Sequence, residues 1–209
     1  IEGYSEQITS SYGEQEFAAM RVLCLGLSAP KFGKLLNNAV RLLEGEEIYC
    51  EIGTFTGYTL ISAAHHNQHK CLGIDNFSLT MFRDDEHKSN CRKRLMTNLD
   101  HFSNPYISFT EADYKNVSFQ EKIGVLLIDG HHTHDEVLSN FTWARDKLAD
   151  NALVFVDDIS MCGVGDGVDE WVRGHDEFKE FFRMHIMYDE KIQKDRHWNH
   201  FSWNGFSIL

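Results

Sequence analysis

Tyr49-Cys50-Glu51-Ile52-Gly53-Thr54-Phe55-Thr56-Gly57-Tyr58-Thr59 is the stretch that decides the fold: an apolar strand pattern runs into a glycine turn and then into a helix. Gly53 can adopt the backbone angles of a sharp strand-to-helix turn, and Gly57 lets the first helical turn approach the strand and a ligand. Such a turn is a common cradle for nucleotides, although glycines also serve plain close packing.

Outward from this turn, the pattern alternates. Apolar spacing predicts helices over residues 14–27 (Phe17, Met20, Val22, Leu23, Leu27) and 32–43 (Leu35, Leu36, Val40, Leu43). There follow a strand at 48–52, helix 57–66, strand 71–75, helix 86–102, strands 107–111 and 125–129, helix 135–148 and strand 153–156. This alternation means an α/β fold, a Rossmann-like, doubly wound and mostly parallel sheet with helices on both faces. The continuous apolar runs Val125-Leu126-Leu127-Ile128 and Ala152-Leu153-Val154-Phe155-Val156 fit strands buried on both sides. A helix over 168–182 comes next, and then segments 184–188 and 200–209, which should pair as an antiparallel hairpin on one edge. No repeat or low-complexity tract interrupts the chain.

The 209 residues, 42% hydrophobic, suffice for one sizeable core. A formal charge of -12 argues against nucleic acid, whose backbone demands clustered Lys and Arg, and points to a small-molecule partner. Cys24, Cys50, Cys71, Cys91 and Cys162 are odd in number and mostly embedded in apolar runs, which suits reduced thiols and a cytoplasmic location. No run reaches the roughly 20 apolar residues of a membrane span, and no charged-then-apolar leader opens the sequence, so no membrane partner is expected. The composition is compatible with a homo-oligomer.

Ligands of open parallel sheets bind beyond the carboxyl ends of the strands. Nearly every predicted strand ends there in a carboxylate: Glu51, Asp75, Asp113, Asp129 and the pair Asp157-Asp158. Asp75 stands 22 positions after Gly53, close to the spacing at which an acidic tip accepts ribose hydroxyls; the plain alternative is a cap on the turn Asn76-Phe77-Ser78. Asp113 could meet a base or simply shape its turn. Adjacent strands lie about 4.8 Å apart, so Asp129, Asp157 and Asp158 can converge on one ion. Clustered carboxylates favour a hard dication, Mg²⁺ or else Mn²⁺ or Ca²⁺, unless each merely forms a turn.

Asp129-Gly130-His131-His132-Thr133-His134-Asp135 adds three imidazoles to the same loop. His131, two residues beyond the acidic tip, is the candidate base; His132 and His134 read as solvated residues or substrate contacts. Zn²⁺ is disfavoured, since no thiolate pattern accompanies the histidines and their spacing is too tight for all three to ligate one ion.

These residues together resemble the class I S-adenosylmethionine-dependent methyltransferases, and specifically the metal-dependent O-methyltransferases, over most of residues 47–158. Glu51-Ile52-Gly53-Thr54-Phe55-Thr56-Gly57-Tyr58-Thr59 is similar to the catechol O-methyltransferase cofactor loop. Leu127-Ile128-Asp129-Gly130-His131-His132 and Val156-Asp157-Asp158 resemble the sugar and macrolide enzymes. The resemblance implies that Glu51, Gly53, Thr54 and Gly57 surround the methionine part of S-adenosylmethionine and that Asp75 holds its ribose. Phe55, Tyr58, Asn76, Asp113 and Asp129 complete the implied cofactor contacts. It also implies Mg²⁺ on Asp129, Asp157 and Asp158, a proton acceptor at His131 and a hydroxyl-bearing small-molecule acceptor such as a catechol, sugar or natural product. In this reading residues 1–46 form a helical cap on a methyltransferase domain spanning 47–209. Residues 148–152 lack the Pro-Gly-Gly turn that many relatives carry.

The glycine-rich segment Ser160-Met161-Cys162-Gly163-Val164-Gly165-Asp166-Gly167 reads as a loop that could close over substrate or simply lead to the next helix. Trp171 and Tyr188 are candidate pocket aromatics, with a core role as the plain alternative. Three rival functions fit parts of the pattern. A dehydrogenase would need G-x-G-x-x-G, whereas Phe55 stands in place of the middle glycine. A metal-dependent hydrolase would use the acidic cluster alone, and a non-catalytic nucleoside-binding module would keep only the cradle.

Overall fold

The computed structural model describes residues 13–78, 85–161, 163–185 and 205–209. Seven strands, β1 (Ile48–Ile52), β2 (Cys71–Ile74), β3 (Ile107–Thr110), β4 (Ile123–Ile128), β5 (Leu148–Asp157), β6 (Phe182–Met184) and β7 (Phe206–Ile208), form one sheet. Their order is β3-β2-β1-β4-β5-β7-β6. The first five pair in parallel, whereas β7 runs antiparallel to both β5 and β6. The expected mixed sheet with an antiparallel edge is therefore present. The strand order reverses between β1 and β4, the position at which open sheets of this class leave a crevice.

Residue parity assigns the two faces, because neighbouring side chains on a strand point to opposite sides. Cys50, Ile52, Leu126, Ile128, Val154 and Val156 face helices α5 (His134–Ala144) and α6 (Val164–Gly174), where Val137, Phe141, Val168 and Trp171 are buried with them. Tyr49, Val125, Leu127 and Phe155 face α2 (Pro30–Val40) and α3 (Tyr58–Ala64) through Phe32, Leu36, Val40, Leu60 and Ala63. Helix α1 (Glu14–Cys24) forms a further layer, with Phe17, Met20 and Cys24 against Tyr58 and Ile61. Helix α4 (Asp85–His101) connects β2 to β3.

Several boundaries differ from the sequence reading, each for a local reason. Helix α1 stops at Cys24 because Leu25 turns to φ 55, and its buried stripe is Phe17, Met20 and Cys24. Val22, Leu23 and Leu27, expected on that face, are exposed. Pro30 occupies the first turn of α2 and starts it two residues early, a place where its missing N–H costs nothing. Helix α5 ends at Ala144 and passes through a 3₁₀ turn into β5, which begins at Leu148.

The largest difference lies after β5. Helix α6 spans Val164–Gly174, not 168–182, with Gly163 as its N-cap at φ 81. Gly165 and Gly167 thus lie in its first turns rather than in a lid. A Cβ on Gly165 would stand 2.7 Å from the Ile159 carbonyl oxygen, and one on Gly167 would stand 3.0 Å from that of His134. These glycines let α6 pack at close range. The strand assigned to 184–188 begins at Phe182, and residues 186–204, including Tyr188, lie outside the described residues, as do Thr80 to Arg83 and Cys162. Cys24, Cys50, Cys71 and Cys91 are free thiols. No helix among the described residues is long and apolar enough to cross a membrane.

Phe32 joins α2 to the antiparallel edge: it is fully buried, 6.3 Å from the ring of Phe155 and 5.1 Å from that of Phe206. Phe32→Ala is expected to lower the free energy of unfolding by about 3–5 kcal/mol, measured by urea denaturation.

Candidate functional site

The turn after β1 is built by contacts between strand tips. Gly53, at φ 96, donates its N–H to the Ile74 carbonyl at 2.9 Å, and the Asp129 N–H donates to the Ile52 carbonyl at 2.9 Å. A Cβ on Gly53 would lie 2.0 Å from the Asp129 carbonyl oxygen, so only glycine lets the β1 and β4 tips meet. Gly57, at φ 87, caps α3; a Cβ there would come within 2.7 Å of Leu95 Cδ1. Its bareness admits the Leu95 side chain of α4.

Asp75, 8% exposed, holds this turn in place. Its Oδ2 accepts the N–H groups of Thr54 (3.0 Å) and Phe55 (2.8 Å), while Oδ1 accepts that of Phe77 (2.6 Å). The carboxylate caps its own turn, the plain reading of Asp75, and also braces the glycine loop. Asn76 is exposed and accepts the Ser78 N–H at 3.0 Å. Phe55 is held at φ 47, a costly conformation for an aromatic residue.

Two expected cofactor contacts have structural partners of their own. Tyr58 is 3% exposed and directs its hydroxyl to the Phe17 carbonyl at 3.2 Å, so it fastens α1 to α3. Asp113 caps the 3₁₀ turn Tyr114–Asn116 by accepting the Lys115 N–H at 2.9 Å. Trp171 stacks on Phe141 at 5.1 Å beneath α6 and belongs to the core.

Glu51 lies beneath the turn with no exposed surface, and Tyr49 donates its hydroxyl to Glu51 Oε2 at 2.7 Å. Burial raises the Glu51 carboxyl from 4.5 to about 8, only partly offset by the Tyr49 hydrogen bond.

The second acidic group has a membership that the sequence reading did not foresee. Ligand atoms of Asp129, His132 and Asp158 all lie within 4.8 Å of one another. His132 Nε2 stands 3.6 Å from Asp129 Oδ1 and 3.3 Å from Asp158 Oδ2. Burial raises Asp129 to about 6, with the Asp158 charge adding and His132 opposing. For His132, burial acts downward, but Asp129, Asp158 and Asp157 outweigh it and hold the imidazole above its ordinary value.

Asp157, expected as a third ligand, is the last residue of β5 and accepts the Asp158 N–H at 2.9 Å. Asp158 itself sits at φ 56, a left-handed bend that turns the chain out of the strand. His131, expected as the base, stands 3.1 Å from the Ser78 hydroxyl, toward the β2 turn. The structure thus puts His132, not His131, between the carboxylates. The signal was present as the i,i+3 spacing from Asp129, which brings both side chains to one side of the turn. His134 bonds Asp135 and Glu170 at the surface.

The sequence profile of a methyltransferase-domain family matches residues 50–159, spanning both groups of residues. No curated protein matches in sequence. The fold is similar to that of the O-methyltransferase TomG from Streptomyces achromogenes, involved in tomaymycin synthesis and solved with SAM: TM-score 0.59 and 15% identity over 96% of this chain and 89% of that one. An O-methyltransferase from Bacillus cereus, solved with SAH, gives TM-score 0.62 at 14% identity over 99% and 94%. CalS11, a TDP-rhamnose 3'-O-methyltransferase of calicheamicin biosynthesis, gives TM-score 0.52 at 13% identity over 87% of each chain.

The raised carboxyl of Glu51 yields a stability test. Its folded value, about 8, exceeds its ordinary 4.5, so the native state prefers the protonated form. That preference stabilises fully below the unfolded value and is lost as pH rises through the folded one. Relative to Glu51→Gln, the wild-type chain should lose up to about 1.4 kcal/mol per pH unit across this window and then level off, read from urea midpoints of both proteins at stepped pH.

Proposed function

The chain belongs to the methyltransferase-domain family, and from that premise we propose that it is an S-adenosylmethionine-dependent O-methyltransferase acting on a hydroxyl of a small molecule held beside a divalent cation. The observation that carries this reading is the pair of sites along one rim. A glycine turn braced by Asp75 lies next to a trio of Asp129, His132 and Asp158, and the Gly53–Asp129 backbone contact joins the two.

The residues of the turn fit the cofactor. Gly53 keeps the strand tips free of side chain, and the Thr54 and Phe55 amides are fixed by Asp75. Asp75 is assigned to the ribose, with Asn76 beside it; Glu51, Gly53, Thr54 and Phe55 line the methionine end. When bound, the cofactor supplies a sulfonium methyl group that needs only an aligned nucleophile. Gly57 packs against α4, Tyr58 fastens α1 to α3 and Asp113 caps the Tyr114–Asn116 turn.

Asp129 and Asp158 fit a dication, because the Asp158 charge adds to the burial that raises the Asp129 carboxyl, and a cation would relieve their repulsion. Asp157 positions Asp158 through its amide. A bound dication, Mg²⁺ or Mn²⁺, would lower the pKa of an acceptor hydroxyl. His132 Nε2, 3.6 Å from Asp129 Oδ1 and 3.3 Å from Asp158 Oδ2, would take the proton of a hydroxyl held there, a role we assign to it rather than to His131. His131, beside Ser78, is assigned to the cofactor side of the cleft. Acceptors with two neighbouring oxygens, such as catechols and vicinal sugar hydroxyls, suit such a site.

Titration calorimetry with S-adenosylhomocysteine tests the reading, and micromolar binding is expected; no binding would instead favour metal-dependent hydrolysis. Asp75→Asn should weaken that binding at least tenfold, whereas Asp158→Asn should leave it nearly unchanged and remove the response of turnover to added Mg²⁺ or Mn²⁺. In assays of methyl transfer to a catechol, His132→Gln is expected to lower kcat by roughly 100-fold or more. His131→Gln should cost clearly less. Equal losses in both histidine variants would refute the assignment of the base.

A further inference from the structure

A second group of metal-type ligands lies at the other end of α3. That helix starts at the glycine turn and runs for 7 residues, so its far end stands roughly 10 Å away along the axis. There Glu16 of α1, His65 and His66 bring one ligand atom each to within 4.8 Å of the others. We propose that Glu16, His65 and His66 form a binding site for a divalent transition-metal ion of the Zn²⁺ class, which fastens α1 to the end of α3.

Geometry supports the assignment. His65 Nε2 stands 3.5 Å from Glu16 Oε2. Neighbouring ligands around a tetrahedral zinc with bonds of about 2.0–2.1 Å are separated by roughly 3.3 Å, so this pair is already near a bound spacing. The two imidazoles lie with ring centroids 4.0 Å apart, and His66 reaches that position through a left-handed backbone at φ 55. Such a conformation is uncommon for histidine and marks a turn held by its surroundings.

The supporting shell is built. Asn37 Nδ2 donates to the carbonyls of Ser62 (2.9 Å) and His65 (2.7 Å), and Asn67 Nδ2 donates to those of Ala63 (2.6 Å) and Asn37 (3.1 Å). The Phe17 and His65 rings pack edge to face with centroids 5.9 Å apart, which sets the imidazole against α1. Two imidazoles and one carboxylate suit Zn²⁺ better than Mg²⁺, and three protein ligands leave one position open to water or an outside ligand. The side chain of Glu16 is 51% exposed, so an ion can reach the site.

The test is Zn²⁺ titration of the full chain carrying Asp158→Asn, which silences the acidic rim. One equivalent should bind, and Co²⁺ should give the visible absorption of a tetrahedral complex. Adding Glu16→Gln or His66→Asn should weaken Zn²⁺ binding at least tenfold; asparagine tolerates the left-handed backbone, so the turn is preserved. The Glu16→Gln chain decides if His66→Asn misfolds, because Glu16 is half exposed. Failure of the Asp158→Asn chain to bind Zn²⁺ below millimolar concentration, or unchanged affinity in Glu16→Gln, overturns the site. S-adenosylhomocysteine binding by Glu16→Gln should stay at the wild-type level, so this inference and the methyl-transfer reading can fail separately.

Discussion

The arrangement of the rim depends on one close approach, that of the Gly53 backbone to the Asp129 carbonyl. It is possible only because Gly53 lacks a Cβ and adopts φ 96. Through it the tips of β1 and β4 touch at the point where strand order reverses. The carboxylate of Asp75 adds a second tie, with one oxygen holding two amides of the same turn. Two strand ends and a buried anion therefore hold the start of the loop, and Asn98 Nδ2 donates to the Thr56 carbonyl at 2.7 Å farther along it.

Negative charge along the rim is the cost of this design. Glu51 is buried to the point of favouring its neutral form, and Asp129 is raised by burial and by Asp158. His132 partly answers the second group by lying between its carboxylates. The strained backbones of Phe55, Phe77 and Asp158 all occur at the ends of strands on this rim, where the rest of the fold must hold them. Strain and unbalanced charge gathered in one place are what a ligand-binding edge requires, and neither recurs through the sheet interior.

The fold was largely legible because its signals are local. Strand runs that are apolar throughout, such as Val125 to Ile128, and a glycine turn between strand and helix point to a parallel sheet whatever lies around them. Acidic strand tips were legible for the same reason. The partners of those tips were not, since which side chain faces which depends on turns. Asp158 leaves β5 through a left-handed bend, and His132 comes round beside Asp129, whereas His131 goes to Ser78. Adjacency to the glycine turn says nothing of direction, and the Tyr58 hydroxyl serves α1. The glycines after β5 read equally as a loop closing over substrate or as a lead into the next helix; only the distances to the Ile159 and His134 carbonyls reveal them as contact surfaces of α6.

Strand β7 carries a consequence for the order of assembly. It zips onto the outer side of β5 with Phe206 opposite Asp157, joining positions far apart along the polypeptide. Closing so long a loop is entropically slow, so the neighbourhood of Asp157 and Asp158 gains its final support after the local β1-to-β2 unit has formed. The half of the crevice at the glycine turn can therefore form before the half that carries the paired acids.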